Sequence, residues 1–139
     1  MVGTSKGTLY QVFFHPTNLG AMVTQHVIYA HDESVTCGEW TTDGTHFISA
    51  SMDSAIKCWS GRQGTLVTSA KGAKDARLHP GGILSLASTN NGQLVLTGGD
   101  DGSLRITNMQ SGRVRSLSLQ EVKIMVLSQK VAAGAADGT

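Results

Sequence analysis

The stretch HDESVTCGEWTTDGTHFISASMDSAIKCWS, residues 31–60, decides the reading of this chain, because HPGGILSLASTNNGQLVLTGGDDGSLRITN, residues 79–108, repeats its pattern 48 positions later without a gap. His31 falls on His79, Val35 on Ile83, Gly44 on Gly92, Ser49 on Thr97, Asp53 on Asp101 and Ile56 on Leu104. A period of this length marks a chain of stacked supersecondary units, each too small to bury its apolar face alone. Inside each copy, Asp43-Gly44, Asn91-Gly92 and Asp101-Gly102 predict two-residue hairpin turns between apolar runs. Ile56-Lys57-Cys58 and Leu104-Arg105-Ile106 alternate apolar with charged, the pattern of a strand with one buried face. Gly64 and Gly112 precede a fourth strand, expected over residues 65–68 and 113–117.

Working outward, both ends carry partial copies. Residues 2–12 match the second half of a repeat, with Gly7-Thr8-Leu9 at the place of Gly102-Ser103-Leu104. Near the other end, Ala135-Ala136-Asp137-Gly138 falls on Gly99-Asp100-Asp101-Gly102. The chain divides into a partial blade over 1–30, a complete repeat over 31–70, a degenerate one over 79–118 and a partial blade over 119–139. Four antiparallel strands per unit make a propeller blade, so the expected fold is all-β, a propeller fragment of about three four-stranded blades.

Composition narrows the function. The chain has 139 residues, 40% of them hydrophobic, with 17 glycines against 2 prolines, as short strands joined by tight turns require. A formal charge of +1 supplies no basic field for nucleic acid or anionic lipid, so neither is expected as a partner. Cys37 and Cys58 are too few for a disulfide framework and fit no zinc spacing. His15, His26 and His46 share no ligand spacing, and neither metal nor cofactor is expected. There is no leader-like start and no apolar run long enough to span a membrane, which together with free thiols suggests a cytoplasmic or nuclear compartment.

The residues at fixed places in the repeat resemble the WD40 family, which carries a histidine near the start, an aspartate in the second turn and a closing Trp-Asp. Here Ala30-His31 stands for Gly-His and Trp59-Ser60 for Trp-Asp, with Asp53 in the turn. The resemblance implies a structural network of hydrogen bonds running from Trp59 through Ser49 and His31 to Asp53. The second repeat keeps His79, Thr97 and Asp101 but has Thr107-Asn108 for Trp-Asp, so its network must end early or be completed by water. Lys6 replaces the aspartate and Val12 the tryptophan in the first partial copy, and Ala133 the serine in the last. His31, Ser49 and Asp53 also suggest a hydrolase triad, but the same types recur one period later. No nucleophile elbow or phosphate loop accompanies them, and no catalytic residue is expected.

The segments 3–12, 35–39 and 53–59, followed by a Trp-less blade, resemble the branch of angio-associated migratory cell proteins and their fungal ribosome-assembly relatives. That resemblance implies a chaperone-like propeller escorting a basic segment of a newly made large-subunit ribosomal protein. A generic architectural subunit of a larger complex is the other reading. For WD40 blades the resemblance places a partner-binding rim before the turn aspartates and around the first-strand bulge. On this chain those positions are Met52 and Asp100, Ser34 and Thr36, Gly82 and Leu84, with Asp32 and Glu33 in the adjacent loop. Methionine and leucine beside carboxylates suit a peptide mixing apolar and basic residues. Lys71, Lys74 and Arg77 read as a solvated charged loop, and Lys57 and Arg105 as third-strand positions away from the rim.

Overall fold

The structure, a computed structural model, describes residues 1–14, 16–18, 20, 22–72 and 77–117. His15, Lys74 and residues 119–139, where a last partial blade is expected with Ala133 and 135–138, lie outside the described residues. All the described regular structure is β, in three antiparallel sheets. The first contains β1 (Val2–Gly3), β2 (Thr8–Phe14) and β3 (Met22–Tyr29) in chain order. The second is four-stranded, with β4 (Val35–Trp40), β5 (His46–Ser51), β6 (Ile56–Ser60) and β7 (Leu66–Ala70). The third repeats that order with β8 (Ile83–Ser88), β9 (Leu94–Gly99), β10 (Leu104–Asn108) and β11 (Val114–Ser116).

The sheets stack face to face in series, as the blades of a partial propeller. β5 is therefore covered on both sides, and its burial runs almost unbroken rather than alternating. Phe47 and Trp59 pack toward the first sheet with Leu9 and Ala30, while Ile48, Ala50, Ile56 and Cys58 join Leu78, Ile83, Val95 and Met109 in the core shared with the third sheet. β7 and β11 are the outer strands and mostly exposed. The same bulge near the start of the inner strand, at Val35/Cys37 and at Ile83/Ser85, shows that the 48-residue period is a repeat of geometry as well as of residue type.

Two turn expectations need correction. The first hairpin loops are wider than two residues: Thr41 N–H bonds the His46 carbonyl and Thr89 N–H the Leu94 carbonyl, closing four-residue loops. Only the glycine in each is left-handed, because the Asp43 carboxylate and the Asn91 amide oxygen take neighbouring hydroxyl and N–H groups and hold the tight bend themselves. The fourth strands begin later, at Leu66 and Val114, since Thr65 and Arg113 are still in turns, accepting from the Ser60 and Asn108 N–H groups.

Candidate functional site

In the second sheet the loop before β4 supplies His31, β5 supplies Ser49, the turn after β5 supplies Asp53 and β6 supplies Trp59. Trp59 Nε1 donates to Ser49 Oγ at 2.9 Å, and Ser49 Oγ lies 2.8 Å from His31 Nε2. His31 Nδ1 lies 3.0 Å from Asp53 Oδ2. With its proton on Nδ1, the imidazole donates to the carboxylate and accepts the serine hydroxyl, so every polar hydrogen in the chain is used. Asp53 also accepts the Asp32 and Ala55 N–H groups. Burial pushes the Asp53 carboxyl up, but His31 and these two N–H groups outweigh it and hold the group well below the usual carboxylate range. Ser49 is fully buried, with its hydroxyl engaged by both the histidine and the indole.

The third sheet repeats the arrangement to Thr97 and stops. His79 Nδ1 lies 3.0 Å from Asp101 Oδ1, and Nε2 lies 2.9 Å from Thr97 Oγ1, which turns to the Arg105 carbonyl at 3.4 Å. Thr107, in the tryptophan position, is buried with its hydroxyl unpartnered among the described residues. Met109, in the place of Gly61, is buried in the shared core and supplies apolar volume that the lost indole does not. The hydrogen bonds from His79 and the Ser103 hydroxyl hold Asp101 down at about 2.

The rim positions are tied by backbone hydrogen bonds within each blade and meet across the two blades at Gly82 and Thr36. Met52 N–H donates to the Ser34 carbonyl at 3.0 Å, and Asp100 N–H to the Gly82 carbonyl at 3.1 Å. A β-carbon on Gly82 would lie 2.7 Å from Met52 Cα, so only glycine lets the two blades approach here. Gly82 is consequently buried rather than exposed, which corrects its place on the rim. Thr36 is half-buried and spends its hydroxyl on the Ile83 carbonyl at 2.6 Å, so it joins blades instead of facing a partner. Leu84, Asp32, Glu33 and Asp100 are exposed and Ser34 and Met52 half-exposed. Glu33 meets Arg77 at 3.8 Å, so Arg77 is more than a solvated loop charge, though an exposed pair of this length contributes little. Among the described residues, neither Asp32 nor Asp100 has a cationic partner.

Lys57 and Arg105 are not idle. Lys57 Nζ donates to the Ala30 carbonyl and lies over the Trp59 ring, and Arg105 pairs with Asp101 at 3.3 Å. The sequence reading also missed Glu39, whose carboxylate crosses between blades to accept the Ser88 N–H and hydroxyl. The signal was the mismatch of Glu39 with Ala87 one period later.

The model of the "WD domain, G-beta repeat" family matches residues 22–60 and 74–108, more than half of the chain. This chain belongs to the WD40-repeat family. The first match begins with β3, the outer strand of one sheet, and ends with β6 of the next. Among solved structures, the WD40 chain is similar to Chaetomium thermophilum Sqt1, with a TM-score of 0.69 and 21% identity over 84% of its length. It spans 32% of that protein. Among curated proteins, none matches it significantly. Family and geometry together describe WD40 blades in which the histidine and aspartate networks tie the loop before each sheet to its strands and turn.

Proposed function

We propose that this WD40 scaffold binds a peptide segment mixing apolar and basic residues along the rim formed by Met52, Leu84, Asp100 and Asp32. The observation that carries this reading is the pair of exposed carboxylates, Asp32 and Asp100, that have no cationic partner among the described residues, set beside exposed Leu84 and half-exposed Met52. Opposite charge speeds encounter, and packed apolar area slows escape. The resemblance to the ribosome-assembly branch suggests the partner, a basic segment of a large-subunit ribosomal protein, and a chaperone-like role in the cytoplasm. The open apolar face of the first sheet, with Val2, Tyr10, Val27 and Tyr29 exposed, favours a second reading, an architectural subunit in a larger complex.

Biosensor kinetics with basic ribosomal-protein peptides at two salt concentrations test the rim. Asp100→Lys is expected to lower the on-rate and flatten its salt dependence, because rim charges act through a field screened over about 8 Å at physiological ionic strength. Met52→Ala is expected to raise the off-rate. Lys57 and Arg105 are unsuitable controls given their contacts, whereas Arg62 is exposed on a turn at the opposite end of the strands. Arg62→Glu should leave both rates alone. Parental kinetics in the Asp100 and Met52 variants would remove the rim from the interface.

A further inference from the structure

Asn91 is followed by glycine, as no other asparagine of the chain is. Glycine carries no β-carbon to crowd its own nitrogen, so that nitrogen can close on the side chain before it. The pair lies in the loop between β8 and β9, where exposed Asn91 accepts the Thr89 hydroxyl at 2.9 Å and the Gln93 N–H at 3.0 Å, both on Oδ1. The bond from Gln93 closes a ring of side chain and main chain that contains the Gly92 nitrogen. The amide carbon is thus held folded back beside a nucleophile of its own chain, which is the condition for an intramolecular attack. Both donors also point at the oxygen on which negative charge develops when that carbon is attacked.

The equivalent loop of the second sheet shows how well such donors hold an anion. Asp43 Oδ1 accepts the Thr41 hydroxyl at 2.7 Å and the Thr45 N–H at 3.0 Å, with the Thr45 hydroxyl as a third donor at 2.8 Å. Together they hold the Asp43 carboxyl down at about 2. The two loops share their backbone as well: Gly44 and Gly92 both have φ of 71°, and each donates its N–H at 2.8 Å to the threonine carbonyl three residues before it. Asp43-Gly44 is what Asn91-Gly92 becomes when its side-chain amide is hydrolysed, so the product's place is already built.

We infer that Asn91 is a modification site, deamidated in the folded chain with the help of the loop's own donors. The Gly92 nitrogen bonds to Asn91 Cγ, and its proton passes to solvent base. The Cγ–Nδ2 bond then breaks, and the side-chain nitrogen takes a proton from solvent and leaves as ammonia. Water opens the cyclic imide at one of two bonds, and nothing is oxidised or reduced. Cleavage between Cγ and the Gly92 nitrogen leaves aspartate, which gives the third sheet the loop of the second and a new negative charge at the end opposite the rim. Cleavage at the main-chain carbonyl leaves isoaspartate, whose lengthened backbone displaces Asn90. Asn90 accepts the Thr42 N–H at 3.2 Å and hydroxyl at 3.1 Å from the neighbouring sheet, so this branch loosens a tie between blades.

The test is ageing of the full chain at neutral pH, followed by digestion and mass spectrometry of its asparagine peptides. Asn91 is expected to convert about tenfold faster than Asn90 or Asn108. Equal rates overturn the proposal. The loop's part is read from Thr89→Val, which removes one donor and keeps the side chain's shape. It should slow conversion about fivefold in the folded chain and leave the rate in urea unchanged, because the donor is in place only in the folded loop. Thr89→Ser, which restores the hydroxyl, should restore the rate. An unchanged folded rate in Thr89→Val overturns the proposal. If that variant does not fold, the parent alone decides, and slower conversion in buffer than in urea overturns it. Asn91→Asp should keep the parental urea midpoint at pH 7, and a clear fall would show that the loop does not accept the product.

Discussion

Ser49 Oγ receives the indole N–H of Trp59 while facing the His31 ring, so one small oxygen joins the outer half of the blade to the loop that precedes it. Trp59→Ala therefore removes a buried ring and a hydrogen-bond donor at once. It should destabilise the fold by about 3–5 kcal/mol in a denaturant titration. A loss under about 1 kcal/mol would take the ring out of the core. Aspartate 101 behaves differently because its partners act on charge. Its carboxyl is held at about 2, below the roughly 3.9 of an unfolded chain, so the folded state favours the ionised form. Its contribution is complete above about pH 4 and lost as pH falls toward 2, and Asp53 shifts in the same direction. Urea midpoints should agree at pH 7 and 5 and drop at pH 3 in the parent. Asp101→Asn should start lower and fall less steeply, and parallel curves would disprove the linkage.

At the scale of the element, the turns after β5 and β9 share their aspartate but differ at the left-handed position. Gly102 has φ of 75° and open space, but its counterpart Ser54 keeps φ of 68° as a serine, an uncommon conformation for a residue with a side chain. Ser54 Oγ accepts the His79 N–H at 2.6 Å, so the turn of one blade fastens the first residue of the next repeat. Ser54→Gly relieves the backbone but leaves a buried N–H without a partner, which costs about 1–3 kcal/mol against the roughly 1–2 kcal/mol of strain removed. The mutant should gain nothing, and amide exchange at His79 should quicken. A more stable mutant with an unchanged His79 amide would refute this. The strands, the turn glycines and the two histidine networks were legible because each rests on residue types at fixed local spacing. The loop widths were not, since Asp43 and Asn91 shape them through their own side chains. Nor were the burial of Gly82, the Thr36 bridge or the Glu39 crossing, because they depend on how two sheets approach and no spacing within one strand encodes that.

At the scale of the whole molecule, among the described residues, apolar surface is covered where a sheet has a neighbour. On the first sheet Val2 lies opposite Tyr10 and Tyr10 opposite Val27, forming an exposed cross-strand row, with Tyr29 further along at 88% exposure. Stacked repeats bury such faces against the next unit. The 139-residue chain should accordingly self-associate, with sedimentation coefficients that rise with concentration, and Val27→Lys with Tyr29→Lys should reduce the effect. A stable monomer over a wide concentration range would count against it. The offset between the family repeat and the sheet carries a different consequence, one about descent. Because the first matched unit opens with the outer strand of one sheet and continues with three strands of the next, a tandem duplication of that unit closes the sheet before it and begins the sheet after it. Each copying event thus adds a whole blade between existing ones without orphaning a strand, so such a lineage can change its blade number in single genetic steps. The two copies are then free to diverge: one keeps serine and tryptophan, and the other exchanges them for threonines and a buried methionine.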